Sequence, residues 1–430
     1  MVANTYLNET RYRTQVVSDT SIYTVRQHVQ NLGNLGHAPL TGLFLIGSIS
    51  DVVDEMVKNR KNPLFQRIYS KITLLPFGSL EIVRLYSFLG ITKPSLMLSL
   101  HSLFGGKPFP YRQVYSAGLL RGNDTDILKV VKEFFASELQ QESADVQFGP
   151  RLAKALQIVS ENKQKEVQLK KIKETLKAGE TEAFHILHND LFIRYGVIEP
   201  VYSFRELNKS RIDRYEISDP LIALTEHRRN SSTQTRRHDA TGELFISESE
   251  FHQHEGLHFQ RWIVEIAQDR YLLTGCPSFP YLENSSPCVF APRLLWDLEK
   301  EEEEEVDIDV VASQPATRTL IIGSCTRDRE KISVNKLREQ YDKLFSNESS
   351  MNALQKLLKL DGSAVPVRVQ FYHFTPDCTS EQVTDKKGNT HYVVSLTEML
   401  APFRSDHGML VKNKGNNIIG DERELESKYR

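Results

Sequence analysis

The sequence predicts a multidomain protein that combines α/β and all-α domains, and three observations support this. The chain has 430 residues, and at about 150 residues per domain this length corresponds to roughly two to four domains. Residues 43–46 form a short apolar run followed by Gly47 and Ser48, a pattern typical of a buried parallel strand that ends in a loop. After residue 300, predicted strands alternate with predicted helices, which indicates a sheet flanked by helices.

Composition and charge exclude several classes of protein. The net charge is −2, so the chain as a whole does not attract nucleic acid and any such contact would be local. No apolar run reaches the roughly 18 residues that a membrane helix needs, and residues 1–13 lack the apolar segment of a secretory signal. The four cysteines form no CxxC pair, which argues against a disulfide scaffold. We therefore expect a cytoplasmic protein with no membrane partner.

Residues 1–77 are predicted to contain a buried strand, a helix and a turn, and they lack a phosphate-binding loop. The strand that ends in Gly47 and Ser48 is followed by a helix and then by a turn that carries Arg67. ATP hydrolysis in P-loop proteins needs a glycine-rich loop that holds phosphate, a lysine, and a hydroxyl group on magnesium. The sequence contains no GxxxxGKS or GxxxxGKT segment. We expect ATP or magnesium to bind only if a partner chain completes this site.

Residues 78–148 are predicted to form a small helical subdomain. One of its helices ends at Gly105 and Gly106, which can adopt the left-handed backbone of a helix end. We expect Pro108 to stop this helix from restarting. An amphipathic helix follows over residues 124–139. These features are structural and indicate no chemistry.

Residues 149–225 are predicted to form a winged helix-turn-helix, because charged helices are followed by alternating segments around Tyr195 and Tyr215 that suit a β-hairpin. Residues 226–242 are polar and predict a linker. Basic side chains in both segments could contact nucleic-acid phosphates; a domain that only packs within the chain is the alternative. The candidate nucleic-acid contacts are Lys163, Lys165, Lys170, Lys171, Arg228, Arg229, Arg236 and Arg237.

Residues 243–411 are predicted to form an α/β domain, and residues 412–430 a flexible tail. Helices are expected over 251–269 and 333–344, and strands over 306–312, 319–322, 366–374 and 391–396. His254 and His258 lie four residues apart on the first helix, but no further ligand follows at a recognisable spacing. We interpret this cluster as a polar helix surface and predict no metal site there.

In this order, the segments resemble the archaeal-type STAND-class P-loop ATPases that carry a restriction-endonuclease-like C-terminal domain. The resemblance covers residues 23–403. It implies a remnant of a P-loop ATPase sheet, a helical lid, a winged helix-turn-helix and a C-terminal restriction-endonuclease-like α/β domain. It also implies that Gly47 and Ser48 end the sensor strand beside the ATP phosphates, with Arg67 after it. Further matches are Gly105, Gly106 and Pro108 in the lid and Tyr215, Ile217, Asp219 and Pro220 at the end of the winged domain.

The resemblance further implies the position of a PD-(D/E)xK nuclease site in the last domain. In that family, acidic side chains hold magnesium and a lysine steadies the attacking water or the phosphate. Asp309 matches the strand aspartate, with Asp307 at the preceding acidic position. The helix glutamate, the strand glutamate and the lysine are replaced by Gln260, Ser324 and Thr326. Because amide and hydroxyl groups hold magnesium weakly, we expect a catalytically silent nuclease fold.

Two classes of function follow from the resemblance. The first is a truncated or degenerate ATPase-family protein, inactive by itself, that is regulatory or nucleic-acid-associated. Its expected partners are DNA, a chain that supplies the P-loop half, or a second copy of this chain. The alternative is an active magnesium-dependent DNA nuclease or NTPase whose catalytic residues have moved, or one half of a split ATPase. The replacements at Gln260, Ser324 and Thr326 favour the first class.

Overall fold

A computed structural model describes residues 2–6, 13–17, 44–45, 76–136, 144–161, 168–204, 214–226, 247–295, 308–344, 348–360, 362 and 367–404. The chain divides into two compact units, Met1–Leu75 and Pro76–Arg430. Several predicted site residues lie outside the described residues. They are Gly47, Ser48, Arg67, Lys163, Lys165, Arg228, Arg229, Arg236, Arg237 and Asp307.

The described residues of the first unit form a three-stranded sheet. Its strands are β1 (Val2–Tyr6), β2 (Arg13–Val17) and β3 (Phe44–Leu45). β1 and β2 pair antiparallel, whereas β2 and β3 pair parallel, with Val16 opposite Phe44. The strand predicted from the apolar run at 43–46 is therefore present, and its parallel pairing is confirmed.

Four helices begin the second unit: α1 (Ser79–Phe88), α2 (Pro94–Phe104), α3 (Pro108–Ser116) and α4 (Ile127–Ala136). Gly105 ends α2 with a positive φ of 57°, as predicted. Gly106 is needed for a different reason, since a Cβ atom there would lie 2.2 Å from the backbone oxygen of Phe77. The prediction for Pro108 is wrong in one respect. It begins α3, because a proline at the first helical position loses no hydrogen bond.

The next segment consists of helices followed by a β-hairpin. The helices are α5 (Ala144–Glu161), α6 (Gln168–Leu176) and α7 (Glu180–Phe184), which continues as a π-helix over His185–Arg194. β4 (Ile198–Ser203) and β5 (Arg214–Ile217) then pair antiparallel. Leu156, Ile172, Leu187 and Tyr215 are buried in a hydrophobic core that these elements form among themselves. The predicted order of helices followed by a β-hairpin is therefore present.

The longest helix, α8 (Glu248–Thr274), leads into the remaining α/β part of the chain. Ser247 and Glu250 form a capping box at its start, and Gly275 ends it with a positive φ of 68°. The strands that follow are β6 (Val289–Phe290), β7 (Leu294–Leu295), β8 (Val310–Gln314), β9 (Thr319–Cys325), β10 (Arg368–Thr375), β11 (Glu381–Thr384) and β12 (Thr390–Ser395). The helices among and after them are α9 (Val334–Leu344), α10 (Glu348–Leu357) and α11 (Leu396–Arg404).

Six of these strands form a mixed sheet in the order β11-β12-β10-β9-β8-β6. β9, β10 and β12 run parallel in its centre, and β8, β6 and β11 are antiparallel to their neighbours. β7 instead pairs parallel with β4, so the hairpin is extended by a strand from the α/β part. The central sheet flanked by helices was predicted, and the structure confirms a mixed α/β architecture.

A hydrophobic core covers each face of the six-stranded sheet. On one face, Trp262 of α8 and Phe374 of β10 are buried together with Tyr86 and Phe104 of the first helices. On the other face, Ile322 and Phe371 pack with Leu337 and Leu354 of α9 and α10. The predicted lid segment and the predicted nuclease-like segment thus contribute to one core. None of the described helices has both the length and the apolar character needed to cross a membrane.

Candidate functional site

Asp309, the predicted nuclease aspartate, lies directly before β8 and accepts hydrogen bonds on both carboxylate oxygens. Its own backbone N–H donates to the carbonyl oxygen of Gly323 at 2.8 Å, which fixes it beside β9. The backbone N–H of Cys325 donates to Asp309 Oδ2 at 2.6 Å. Asp309 Oδ1 accepts a hydrogen bond from the side-chain amide of Gln260, on α8. The carboxylate therefore joins the sheet to the helix.

Gln260 is held in one orientation by a second partner. Its Oε1 accepts a hydrogen bond of 2.7 Å from Arg293 Nη1. Because this oxygen faces a donor, the NH₂ group of Gln260 must be the part that faces Asp309. A glutamine here satisfies the carboxylate, whereas a glutamate would place a second acceptor against it.

The hydrogen-bond network continues from Arg293 to the β4–β5 hairpin. Arg293 Nε is 3.3 Å from Glu216 Oε2, and Arg261 Nη2 is 3.4 Å from the same oxygen. Arg261 Nε then donates to Glu199 Oε1 at 2.5 Å. The Arg261 side chain is only 17% exposed, so these contacts are better shielded from solvent than ordinary surface pairs. Two arginines thus connect the α/β sheet to the hairpin.

A cleft of about 260 Å³ lies beside this network. Both the α/β part and the hairpin contribute to its walls, and its surface mixes charged with apolar side chains. The lining residues are Glu199, Gln260, Arg261, Val264, Ala291, Pro292, Arg293, Leu294, Ile308, Asp309 and Val311. The position implied by the nuclease resemblance therefore coincides with a real concavity.

The structure requires a one-residue correction to the predicted strand residues. Ser324 Oγ lies 2.9 Å from His373 Nδ1, and Thr326 Oγ1 donates to the backbone oxygen of Asp328 at 3.4 Å. Cys325 is the residue that contacts Asp309. Burial, together with the charge of Asp309, raises the pKa of the Cys325 thiol well above its usual value. Successive side chains on a strand point to opposite faces, so a shift of one residue changes the face.

Arg327, two residues beyond Cys325, forms an ion pair with Glu255 of α8. The Glu255 side chain is 1% exposed; burial raises its pKa, while hydrogen bonds from Ser99 and Arg327 act in the opposite direction. Cys325 and Arg327 thus have the i, i+2 spacing that was assigned to Ser324 and Thr326. Because side chains alternate between the two faces of a strand, the pair Cys325 and Arg327 could have been considered at the sequence level beside the pair Ser324 and Thr326. No local pattern predicted the roles of Arg261, Arg293, Glu199 and Glu216.

The groups around Asp309 do not fit magnesium. Mg²⁺ prefers oxygen ligands in a near-octahedral arrangement. Asp309 is instead bonded to two N–H groups, and the thiol of Cys325 and the guanidinium of Arg293 lie beside it. A guanidinium would repel a cation. In the part of the chain that the structure describes, no group of three or more histidine, cysteine, aspartate or glutamate side chains is placed to hold a metal ion.

The histidines of α8 belong to a buried contact between α8 and α2. His254 Nε2 lies 2.7 Å from the backbone oxygen of Ser102, and the rings of His254 and His258 are 4.4 Å apart. His101 stacks on Trp262 with 4.2 Å between ring centroids. Burial lowers the pKa of His101 to about 3. These side chains therefore fill a helix-helix interface, and their surface location was wrongly predicted for His258, which is 4% exposed.

Among the predicted nucleic-acid contacts, Lys170 and Lys171 are within the described residues. Both lie on α6, where Lys170 is exposed and Lys171 is half-buried. Comparisons of the sequence with protein-family models and with curated proteins found no match.

Proposed function

We propose that this chain is a degenerate member of the P-loop ATPase family with a catalytically silent nuclease-like domain, and that it acts as a regulatory or nucleic-acid-associated protein. The proposal rests on the hydrogen bonds of Asp309. Both of its carboxylate oxygens accept hydrogen bonds from protein N–H groups. A magnesium ion would have to compete with these bonds in a cleft that the guanidinium of Arg293 also lines.

The partners of Asp309 support a structural use of the former catalytic position. Gln260 and Arg293 extend the network from the carboxylate towards the hairpin. A catalytic carboxylate must be available to metal or substrate, whereas this one links α8 to β9. The same position can therefore stabilise the contact between two segments of the chain without performing hydrolysis.

The decisive experiment is a cleavage assay with plasmid DNA and with a labelled oligonucleotide, in magnesium and in manganese. We expect no cleavage above the buffer control by the natural sequence or by Asp309→Ala. Asp328→Ala, which changes a half-exposed aspartate outside the cleft, serves as the matched control. Metal-dependent cleavage that disappears in Asp309→Ala and persists in Asp328→Ala would contradict the proposal.

Nucleic-acid association is tested separately by fluorescence anisotropy with a labelled DNA duplex. If α6 contacts phosphates, binding should weaken steeply between about 50 and 200 mM salt. Lys170→Ala should then reduce the slope of log affinity against log salt by about 1. Lys356→Ala, an exposed lysine on α10, should leave the slope unchanged. If the two variants show the same slope of log affinity against log salt, α6 does not contact the DNA.

A further inference from the structure

A continuous chain of hydrogen bonds runs from a buried carboxylate to a serine hydroxyl on the α/β sheet. Asp385 Oδ2 lies 3.2 Å from His391 Nε2. His391 Nδ1 lies 3.0 Å from His373 Nε2, and His373 Nδ1 lies 2.9 Å from Ser324 Oγ. His373 and His391 are on the neighbouring strands β10 and β12, and Ser324 is on β9. None of these contacts belongs to the Asp309 network.

The direction of the protons along this chain follows from its carboxylate end. Asp385 accepts hydrogen bonds from the backbone N–H groups of Lys387 and Asn389, each at 2.8 Å, and from the Asn389 side chain at 2.8 Å. An acceptor with this many donors is ionised. His391 must therefore carry its proton on Nε2, which leaves Nδ1 as an acceptor.

The second imidazole then has one possible tautomer. His373 must donate from Nε2 to His391 Nδ1, so His373 Nδ1 is an acceptor. The only hydrogen that can fill this contact is the hydroxyl hydrogen of Ser324. The chain therefore holds the Ser324 proton towards a base and leaves the lone pairs of its oxygen facing away from that base.

Burial distinguishes the serine from the three groups behind it. His391 is 0% exposed, His373 is 1% exposed and Asp385 is 7% exposed, whereas Ser324 is only half-buried. Ser324 also lies near the carboxyl end of a central parallel strand, which is where ligands bind in open α/β sheets. The arrangement thus leaves one hydroxyl group partly accessible, next to a base that is fully buried.

We propose that Ser324 is a nucleophile for acyl transfer from carboxylic esters, with His373 as its general base. Ser324 Oγ forms a bond to the ester carbonyl carbon while the bond from that carbon to the alcohol oxygen breaks. The hydroxyl proton passes to His373 Nδ1 and then to the departing alcohol. Water afterwards takes the acyl group from Ser324 and releases a carboxylic acid. This inference does not depend on the function proposed for the Asp309 cleft.

His391 and Asp385 act as positioning residues in this step. Burial, the charge of His391 and the charge of Arg329 lower the pKa of His373 to about 3, so a lasting positive charge on that ring is unfavourable. Transfer of the His373 Nε2 proton to His391 Nδ1 places the charge beside Asp385 instead. Burial and the charge of Arg338 lower the pKa of His391 overall, but the hydrogen bond and the charge of Asp385 act in the opposite direction, a compensation that His373 lacks. The proton transfer between the two imidazoles thus places the positive charge on His391, next to the negative charge of Asp385.

The test uses a fluorophosphonate probe on the full chain, with intact-protein and peptide mass spectrometry. Ser324 Oγ would bond to phosphorus while the phosphorus–fluorine bond breaks and fluoride leaves. We expect one adduct, on the peptide that contains Ser324, and no such adduct in Ser324→Ala. Ser380→Ala changes another half-buried serine of the same sheet region, which contacts Ser395 and no imidazole, and should label like the natural sequence. A folded natural protein without an adduct on Ser324 overturns the proposal.

The positioning role is tested by the pH dependence of the labelling rate in Asp385→Asn. Labelling should rise with pH as the relay loses its extra proton. Without the carboxylate the cation is less stable, so the midpoint should move to lower pH and the maximal rate should fall at least tenfold. Circular dichroism checks that the variant is folded. If it is not folded, the labelling of Ser324 in the natural protein decides the proposal. An unchanged pH midpoint and rate in a folded Asp385→Asn protein would contradict the relay.

Discussion

Ser324 and Cys325 are consecutive residues of β9 that belong to two different polar networks. On the Cys325 side, Asp309 accepts hydrogen bonds from Gln260 and from a backbone N–H group, and Gln260 in turn accepts one from Arg293. On the Ser324 side, the charge of Asp385 is transmitted through two imidazoles to a hydroxyl. Both sides contain a carboxylate. What a carboxylate can do therefore depends on its hydrogen-bond partners. The partners of Asp309 hold it in place, whereas His391, the partner of Asp385, is itself bonded to a second imidazole and through it to a hydroxyl.

The largest effect is expected from His391→Leu, which breaks the relay at its centre. Leucine would leave Asp385 Oδ2 and His373 Nε2 without this partner inside the protein. The buried His373 Nε2 would lose its hydrogen bond, whereas Asp385 Oδ2 would keep the one from the Asn389 side chain, so the free energy of unfolding should fall by about 1 to 3 kcal/mol. Urea unfolding followed by circular dichroism measures the change.

Thr390→Ala is the matched control for this variant, because Thr390 precedes His391 on β12 and is exposed. We expect it to stay within about 0.5 kcal/mol of the natural sequence. Equal losses for the two variants would mean that the relay contributes nothing beyond strand pairing.

The second prediction concerns acid, and it compares the natural sequence with His373→Asn. The folded-state pKa of His373 is about 3, against an ordinary value of 6.5. Between these values the unfolded chain binds a proton that the folded chain does not, so stability falls as pH falls from about 6.5 to about 3. The slope is at most about 1.4 kcal/mol per pH unit for one imidazole. Urea midpoints measured from pH 7 to pH 4 give this slope.

Removing His373 should make the slope shallower, although buried His101 adds a contribution of the same sign in both proteins. His185→Asn serves as the control, since the side chain of His185 is 60% exposed. The idea fails if His373→Asn and His185→Asn show the same dependence of stability on pH.

The smallest expected effect is that of Gln260→Glu, which tests the hydrogen-bond network around Asp309. The new carboxylate would face Asp309 in place of a donor, and the free energy of unfolding should fall by about 1 kcal/mol. Millimolar magnesium should recover part of this loss in the variant and leave the natural sequence unchanged. Differential scanning fluorimetry with and without magnesium detects the change. Gln382→Glu, on the exposed edge strand β11, is the control: it should not change the free energy of unfolding, and magnesium should not stabilise it. Stabilisation of the natural protein by magnesium would contradict the prediction, because it would show that the site already accepts the ion.

Much of the local structure could be predicted from periodicity and from helix-end signals. The helix expected at 251–269 is present as α8, and the strands expected at 319–322 and 391–396 are present as β9 and β12. The short edge strand β11 and the last helix α11 were not predicted. β11 is four residues long and mostly exposed, so no apolar pattern marks it, and α11 is a nine-residue helix that contains Pro402.

The candidate site was predicted in part, for a physical reason that concerns distance along the chain. Gln260 and Asp309 were expected to meet, and they form a hydrogen bond although 49 residues separate them. Arg293 and Glu216, which complete that network, carry no local pattern because charged side chains are common on any surface. His373 and His391 were not predicted because only strand pairing brings their strands together, and Asp385 lies in the turn between β11 and β12.

The sequence by itself determined the main helices and strands and the glycine turn after α2, whereas the position of Asp309 was implied by the resemblance to a known family. The elements and the turn depend on neighbouring residues, through side-chain periodicity or the conformational freedom of glycine. Only the tertiary structure decided that Cys325 faces Asp309 and that Ser324 faces His373. Side chains alternate along a strand, and a sequence does not state which face meets which neighbour until the strands pair.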